Sequence, residues 1–336
     1  LYISNIRIII KNILTYLFPL NRKNDGLFCF AIQSIEMHRL TTIIFLFTSC
    51  FACSQSFTDA EVMGKKEVCL AAVYTNDSWD TYFEADIKRT NGNIGTLTRQ
   101  TTVAAAVYGI TSKLTAIAMV PYMNVSPSQG TLISSSGFQD AIFGLKYKLP
   151  ILDKGIALSA FVMSFGSTPT HNYNTELGPM SLGANCNEWA NRLMLEARHH
   201  GSGLFIRPWA SYHMRGMCSL ERTYYFTEQG YYSDKVNVPD QWQMALTVGS
   251  RFLENNLRIE ASLMRIESIG GADIRRYEMP FPGIGMDATT VSGLVQYYPK
   301  FLPALGVQVS YMQVIDGRNM GISTAWTTGF MYRFSI

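Results

Sequence analysis

Residues 188–201 read Glu188-Trp189-Ala190-Asn191-Arg192-Leu193-Met194-Leu195-Glu196-Ala197-Arg198-His199-His200-Gly201. Trp189, Leu193, Leu195 and Ala197 share one parity, while Glu188, Arg192, Glu196 and Arg198 share the other. In an extended chain that order puts apolar groups on one face and charge on the opposite face. The alternation recurs at 240–251, where Trp242, Met244, Leu246 and Val248 oppose Gln241, Gln243 and Arg251. It recurs again where Leu257, Ile259, Ala261 and Leu263 oppose Arg258, Glu260 and Ser262. A soluble sandwich alternates in the same way, so the connections between strands must decide the architecture.

The pattern predicts twelve strands, at 66–78, 99–109, 113–122, 138–148, 155–165, 188–199, 202–213, 240–251, 256–266, 288–298, 305–315 and 322–334. Connections at Ile110 to Ser112, Leu149 to Lys154, His200-Gly201, Phe252 to Asn255 and Pro299 to Ala304 are short. Those at 79–98, 123–137, 166–187, 214–239 and 267–287 are long. Short and long alternate, as in an up-and-down barrel with turns on one side of a membrane and loops on the other. A strand of about ten residues, rising roughly 3.3 Å each and tilted about 40°, spans an apolar band of about 25 Å. The fold class expected is therefore all-β: a transmembrane up-and-down antiparallel barrel of about 12 strands, with a range of 10–14.

Composition agrees. Charged residues are 16%, below the roughly 25% of a soluble domain. After residue 60 no uninterrupted apolar run reaches the length of about 18 that a membrane helix needs. The apolar block lies earlier, where Met37-His38-Arg39 precedes Leu40-Thr41-Thr42-Ile43-Ile44-Phe45-Leu46-Phe47 and the small residues Thr48, Ser49 and Ala52. A basic tip, a short apolar core and small residues make a signal peptide over 37–53, with a buried strand as the blander reading. Cys50 and Cys53 raise a lipoprotein reading, against which Phe47 stands where a lipobox has Leu. Residues 1–36 read as an upstream extension ahead of Met37, leaving 54–336 for the barrel.

The five cations and two carboxylates of residues 1–53 account for the whole chain's +3, so the exported part is close to neutral and offers no basic surface for nucleic acid. Of six cysteines, only Cys69, Cys186 and Cys218 lie beyond the leader, and none of them stands in a CxxC pair. No metal site or cofactor is expected. Cys186 and Cys218 flank two adjacent strands at the same rim, and are expected to be able to form a disulfide between two long loops.

The last strand is aromatic on one parity. Trp326, Phe330, Tyr332 and Phe334 oppose Ala325, Thr327, Gly329, Met331 and Arg333, and are expected on the outer face. Outer-membrane barrels commonly end so for the barrel-insertion machinery, with Phe where this chain has Ile336. Lys146, Arg192, Glu196, Arg198, Arg207, Arg258, Glu260 and Arg333 are expected to line the lumen, because charge facing lipid costs roughly 2–4 kcal/mol at the midplane. They could line a polar passage or pair off across a closed interior.

The segment Tyr108-Gly109-Ile110-Thr111-Ser112-Lys113-Leu114-Thr115, followed by Val120-Pro121-Tyr122, resembles the outer-membrane transporter-like barrels named after the meta-cleavage phenol-degradation pathway. Ser136-Gly137-Phe138-Gln139-Asp140-Ala141-Ile142-Phe143-Gly144-Leu145-Lys146-Tyr147-Lys148-Leu149 and Tyr173-Asn174-Thr175-Glu176-Leu177-Gly178 extend the resemblance over most of the exported chain, more loosely after residue 180. It implies a barrel for small apolar or aromatic molecules, with outer-membrane lipid around it. Gly109 is expected to supply a positive φ in a tight turn.

The leading expectation is an outer-membrane channel or passive transporter. Two alternatives belong to other classes: a non-conducting structural or secretion-complex subunit, and a barrel hydrolase acting on lipid, whose mark would be a Ser–His pair on the outer surface. His199 and His200 point to opposite faces at a turn, which does not suit a metal pair. Tyr224-Tyr225-Phe226 and Tyr231-Tyr232 would form an interfacial girdle or a ligand-gathering rim.

Overall fold

The computed structural model describes residues 56–227, 229–274 and 279–336. The upstream extension 1–36 and the leader 37–53 lie outside the described residues. Twelve long strands carry the fold: β1 (Glu67–Trp79), β2 (Leu97–Gly109), β3 (Leu114–Pro127), β4 (Ala141–Lys154), β5 (Ile156–Thr168), β6 (Glu188–His199), β7 (Leu204–Arg215), β8 (Asp240–Phe252), β9 (Leu257–Ile269), β10 (Asp287–Tyr297), β11 (Leu305–Arg318) and β12 (Thr324–Ser335). Each pairs antiparallel with its neighbours in sequence, and β12 returns to β1, so the sheet closes. Along that seam Glu67 pairs with Ser335 and Ser78 with Thr324, and the hydroxyls of Thr75 and Thr327 meet at 3.0 Å.

Two faces separate residue by residue. Leu193 is 57% exposed and its neighbour Met194 is fully buried, so odd positions of β6 face out and even positions face in. Leu246, Val248, Ile259, Leu263, Trp326 and Phe330 extend the exposed apolar surface around the outside. Such a surface on a closed sheet belongs in lipid, where closure also pairs the backbone groups that an open edge would leave bare at several kcal/mol each. Among the described residues no helix is long and apolar enough to cross a membrane, which says nothing of a β-barrel.

The strands run 11–14 residues, and β3, β4 and β11 in particular extend past the ranges that the sequence pattern suggests. The largest correction concerns Leu149–Lys154, expected as a turn. Those residues continue β4, past a register shift between Pro150 and Leu152, and the chain reverses at Gly155, whose φ is +73°. Turn-like Pro150 and Asp153 are tolerated because this end of the hairpin is exposed to solvent. Gly109 is corrected too. It is absent from the positive-φ residues, and a Cβ there would collide with the carbonyl oxygen of Gly64, so the position needs a close backbone approach.

The long loops carry structure of their own. Thr81–Glu84 pairs with Ile87–Thr90, Ser135–Phe138 adds to the long-loop end of β3, and Met217–Ser219 pairs with Lys235–Asn237. Within 214–239, Tyr225 stacks on Tyr231 with centroids 5.2 Å apart, and Tyr224 meets Tyr232 at 5.0 Å.

Candidate functional site

Inward parity gathers charge from several strands into one network. Arg207 on β7 donates from Nη1 to Glu196 Oε2 at 3.2 Å and from Nη2 to Glu260 Oε2 at 2.7 Å. Arg258 Nε lies 3.1 Å from Glu260 Oε1, and Arg251 Nη2 lies 3.5 Å from Glu196 Oε1. Arg207, Glu196, Arg258 and Glu260 are all buried, and buried ions persist where opposite charge and hydrogen bonds replace water. Arg333 is buried on the same face, while Arg198 shares the parity of Glu196 and is half-buried near the short-turn end of β6. On the outside, Trp326 and Phe330 are exposed and Tyr332 and Phe334 partly so. Tyr311 packs on Trp326 at 4.7 Å, and Tyr332 on Phe334 at 6.0 Å.

The lumen also holds the chain's own residues 56–63. Lys146 Nζ, fully buried, donates to Asp59 Oδ1 at 2.9 Å, to Asp59 O at 3.0 Å, to Glu61 O at 3.2 Å and to Ser56 O. Arg251 pairs with Glu61, and the Met63 amide donates to Thr115 Oγ1 at 3.0 Å. Phe57, Ala60 and Met63 pack with Ile117, Phe161, Met163, Phe165, Met194 and Trp209. Sequence reading missed this segment, since three apolar residues around two carboxylates form no strand pattern. The available signal was Asp59 and Glu61 lying just ahead of a barrel whose inner face carries excess cations.

Toward the long-loop end lies a second polar group. His213 Nδ1 meets Glu188 Oε1 at 2.8 Å, His213 Nε2 meets Ser211 Oγ at 3.0 Å, and Arg215 Nε donates to Glu188 Oε2 at 2.8 Å. The Ser–His pair sought on the outer surface is thus found facing inward, and Ser211 is only 1% exposed. Its Oγ also sits 3.4 Å from Arg192 Nη2. Ser211 and His213 lie on a strand paired on both sides, opposite Gln243 and Gln241 on one neighbour and Arg192 and Ala190 on the other.

Arg192 differs from its neighbours. Its guanidinium lies over Trp209 at 3.8 Å and near Phe165 at 5.3 Å, and Nη1 donates to Phe57 O at 2.9 Å. Nη2 reaches Gln243 Oε1 at 3.4 Å.

Beyond the strand ends on the long-loop side, Tyr173 donates to Asp140 Oδ1 at 2.6 Å and accepts from the Asn185 amide at 2.8 Å. Burial pushes the Asp140 carboxyl above its ordinary range, and burial with the Asp140 bond pushes the Tyr173 phenol up. Cys186 and Cys218 are free thiols in one buried cluster with Leu220, Tyr225, Val236 and Val238. Cys218 Sγ lies 3.2 Å from Thr175 Oγ1, and burial pushes the Cys186 thiol up to about 12. His200 meets Asp153 at 2.6 Å at the exposed short-turn end.

No family model matches the chain, and no curated protein matches it. Solved structures do. An outer-membrane channel from Pseudomonas putida aligns over 84% of this chain and 100% of its own, at 14% identity and a TM-score of 0.66. The translocator domain of the autotransporter NalP from Neisseria meningitidis aligns over 90% and 96%, at 9% identity and a TM-score of 0.42. The β domain of the Bordetella autotransporter BrkA aligns over 80% and 100%, at 13% and 0.42. At such identities the first of these likenesses speaks for the fold, that of an outer-membrane β-barrel.

Proposed function

We propose that the chain is an outer-membrane channel that passes small solutes, apolar or aromatic, down their gradient. The observation that carries this reading is how the lumen is filled. Residues 56–63 do not join the sheet; side-chain contacts from Lys146, Arg251, Arg192 and Thr115, and apolar packing, hold them there. A segment held in that way can be displaced without breaking the barrel's ladder, and displacement would uncover a wall that is polar in part and aromatic in part. The resemblance to phenol-degradation barrels supports the apolar or aromatic solute class. Liposome flux and planar-bilayer conductance, measured on folded wild type and on Lys146→Met, test the reading. Flux in either supports it, and absence of flux and conductance in both rejects it.

The same filling favours a second reading, a structural or secretion subunit whose lumen stays closed. A stoichiometric partner that co-purifies with a protein lacking all flux would decide for it. For the hydrolase reading, covalent capture of Ser211 by a fluorophosphonate is the discriminating result.

A further inference from the structure

Among the buried cations of the inner wall, Lys146 has Asp59, Arg207 has Glu196 and Glu260, and Arg258 has Glu260. Arg192, only 5% exposed, stands in no ion pair among the described residues. A buried guanidinium without a carboxylate keeps its full desolvation cost, and here only neutral oxygens and the faces of two rings answer it. Both carboxylates on its own strand are engaged elsewhere, Glu188 by His213 and Arg215 and Glu196 by Arg207 and Arg251.

What fills the space before Arg192 has a definite shape. The Phe57 ring stacks on Phe165 with centroids 4.6 Å apart and planes 25° from parallel, while the carbonyl oxygen of the same residue takes the Arg192 Nη1 proton at 2.9 Å. His213 also meets the Phe165 ring, in an edge-type contact with centroids 5.6 Å apart. A ring and an oxygen acceptor joined through Cβ and Cα form the skeleton of an arylpropanoate. The neutral amide supplies one oxygen; a carboxylate supplies two, which suit the Nη1–Nη2 edge, and the negative charge that Arg192 lacks.

We propose that this recess is a binding subsite for aromatic carboxylates with a two-carbon spacer between ring and carboxyl, which compete with Phe57 for Phe165 and Arg192. The inference rests on the channel reading and deepens it by naming a solute class. Phe57 is tethered to the wall it occupies, so its effective concentration is high and the free acid binds the wild type weakly. Removing the ring vacates the stacking position and leaves the cation in place.

The test is calorimetric titration of the full chain in detergent with 3-phenylpropanoate, using wild type, Phe57→Ala, Phe57→Ala/Arg192→Gln and Phe57→Ala/Arg192→Lys. Folding of each is checked by its heat-dependent gel mobility. Phe57→Ala is expected to bind at least about tenfold tighter than wild type, and Arg192→Gln to lose about tenfold or more, in line with a charged hydrogen bond. Arg192→Lys should fall between them, keeping charge and losing the fork. In Phe57→Ala, benzoate and 3-phenylpropan-1-ol should each bind more weakly, the first too short and the second uncharged. No saturable binding by Phe57→Ala, equal binding of the alcohol, or indifference to Arg192→Gln overturns the subsite. Benzoate binding as tightly as 3-phenylpropanoate overturns the spacing. Liposome flux of a small neutral solute is read in parallel. Binding without flux retains the subsite and rejects the channel, and flux without binding does the reverse.

Discussion

Lys146 Nζ and Asp59 Oδ1 lie 2.9 Å apart in the lumen, although 87 positions separate them in the chain. Both are almost wholly buried, so neither charge has water to fall back on. Removing one partner from a buried pair costs about 3–5 kcal/mol if the other stays in place. The segment around Asp59 can escape that cost by leaving.

Lys146→Met is therefore expected to raise single-channel conductance while leaving the barrel folded. Combining it with Asp59→Asn should bring conductance back toward wild type, because no stranded carboxylate then drives the segment out. Planar-bilayer recordings of both variants check this, and equal conductance in wild type and Lys146→Met would count against a charge-held segment.

Arg207 has no such escape, since Glu196 and Glu260 are both fixed on strands. Arg207→Ala should destabilise the barrel by about 3–5 kcal/mol. Adding Glu196→Gln and Glu260→Gln should recover part of that loss. Urea midpoints of folding into vesicles give the measurement.

Cys186 and Cys218 are expected to oxidise once the chain meets an oxidising compartment. Ser211 and His213 are buried, Met217 is exposed and Cys218 is buried again, so inward parity shifts by one residue near Gly216, whose amide bonds to Asn187 O at 2.8 Å. That shift turns Cys218 toward the cluster holding Cys186. The thiols would pass their hydrogens and electrons to the disulfide of a dithiol oxidase, forming one S–S bond. Protein isolated from membranes should show a peptide pair joined through these residues. In reduced folded protein, Cys186 should resist alkylation near neutral pH, because its raised pKa leaves little thiolate.

Asp140 gives a pH signature. Its folded carboxyl is raised above the ordinary value, so the folded state holds the proton more tightly than the unfolded one. The contribution to stability is full below the unfolded pKa and is lost as pH rises through the folded one. Compared with Asp140→Asn, wild type should thus lose denaturant resistance as pH is raised across the acidic range, above the ordinary carboxylate pKa. A constant difference between the two, measured across that range, would refute it.

The twelve strands were legible because each alternates apolar and polar residues over a span with one wet and one greasy face, a local property of the chain. Leu149–Lys154 was misread for a local reason as well: Pro150, Asp153 and Lys154 look like turn residues, and only pairing with Ile156 to Ser159 shows them to be strand. The inner site was half legible. Parity named Arg192, Arg207, Glu196 and Glu260, but nothing in their own segments tells which cation meets a carboxylate and which meets Phe57. Ser211 and His213 share a parity on one strand, and that spacing, with Glu188 on the neighbouring strand, was the signal passed over.

The seam between Thr75 and Thr327 has a consequence for biogenesis. The first strand pairs at once with the second, but its other edge waits until the last strand has been made, 252 residues later. A nascent chain that stops before Thr324 leaves a naked strand edge along Glu67–Trp79, which lipid will not accept. Proofreading for completeness is thereby built into the geometry: products of interrupted synthesis cannot become residents of the bilayer and stay available to proteases.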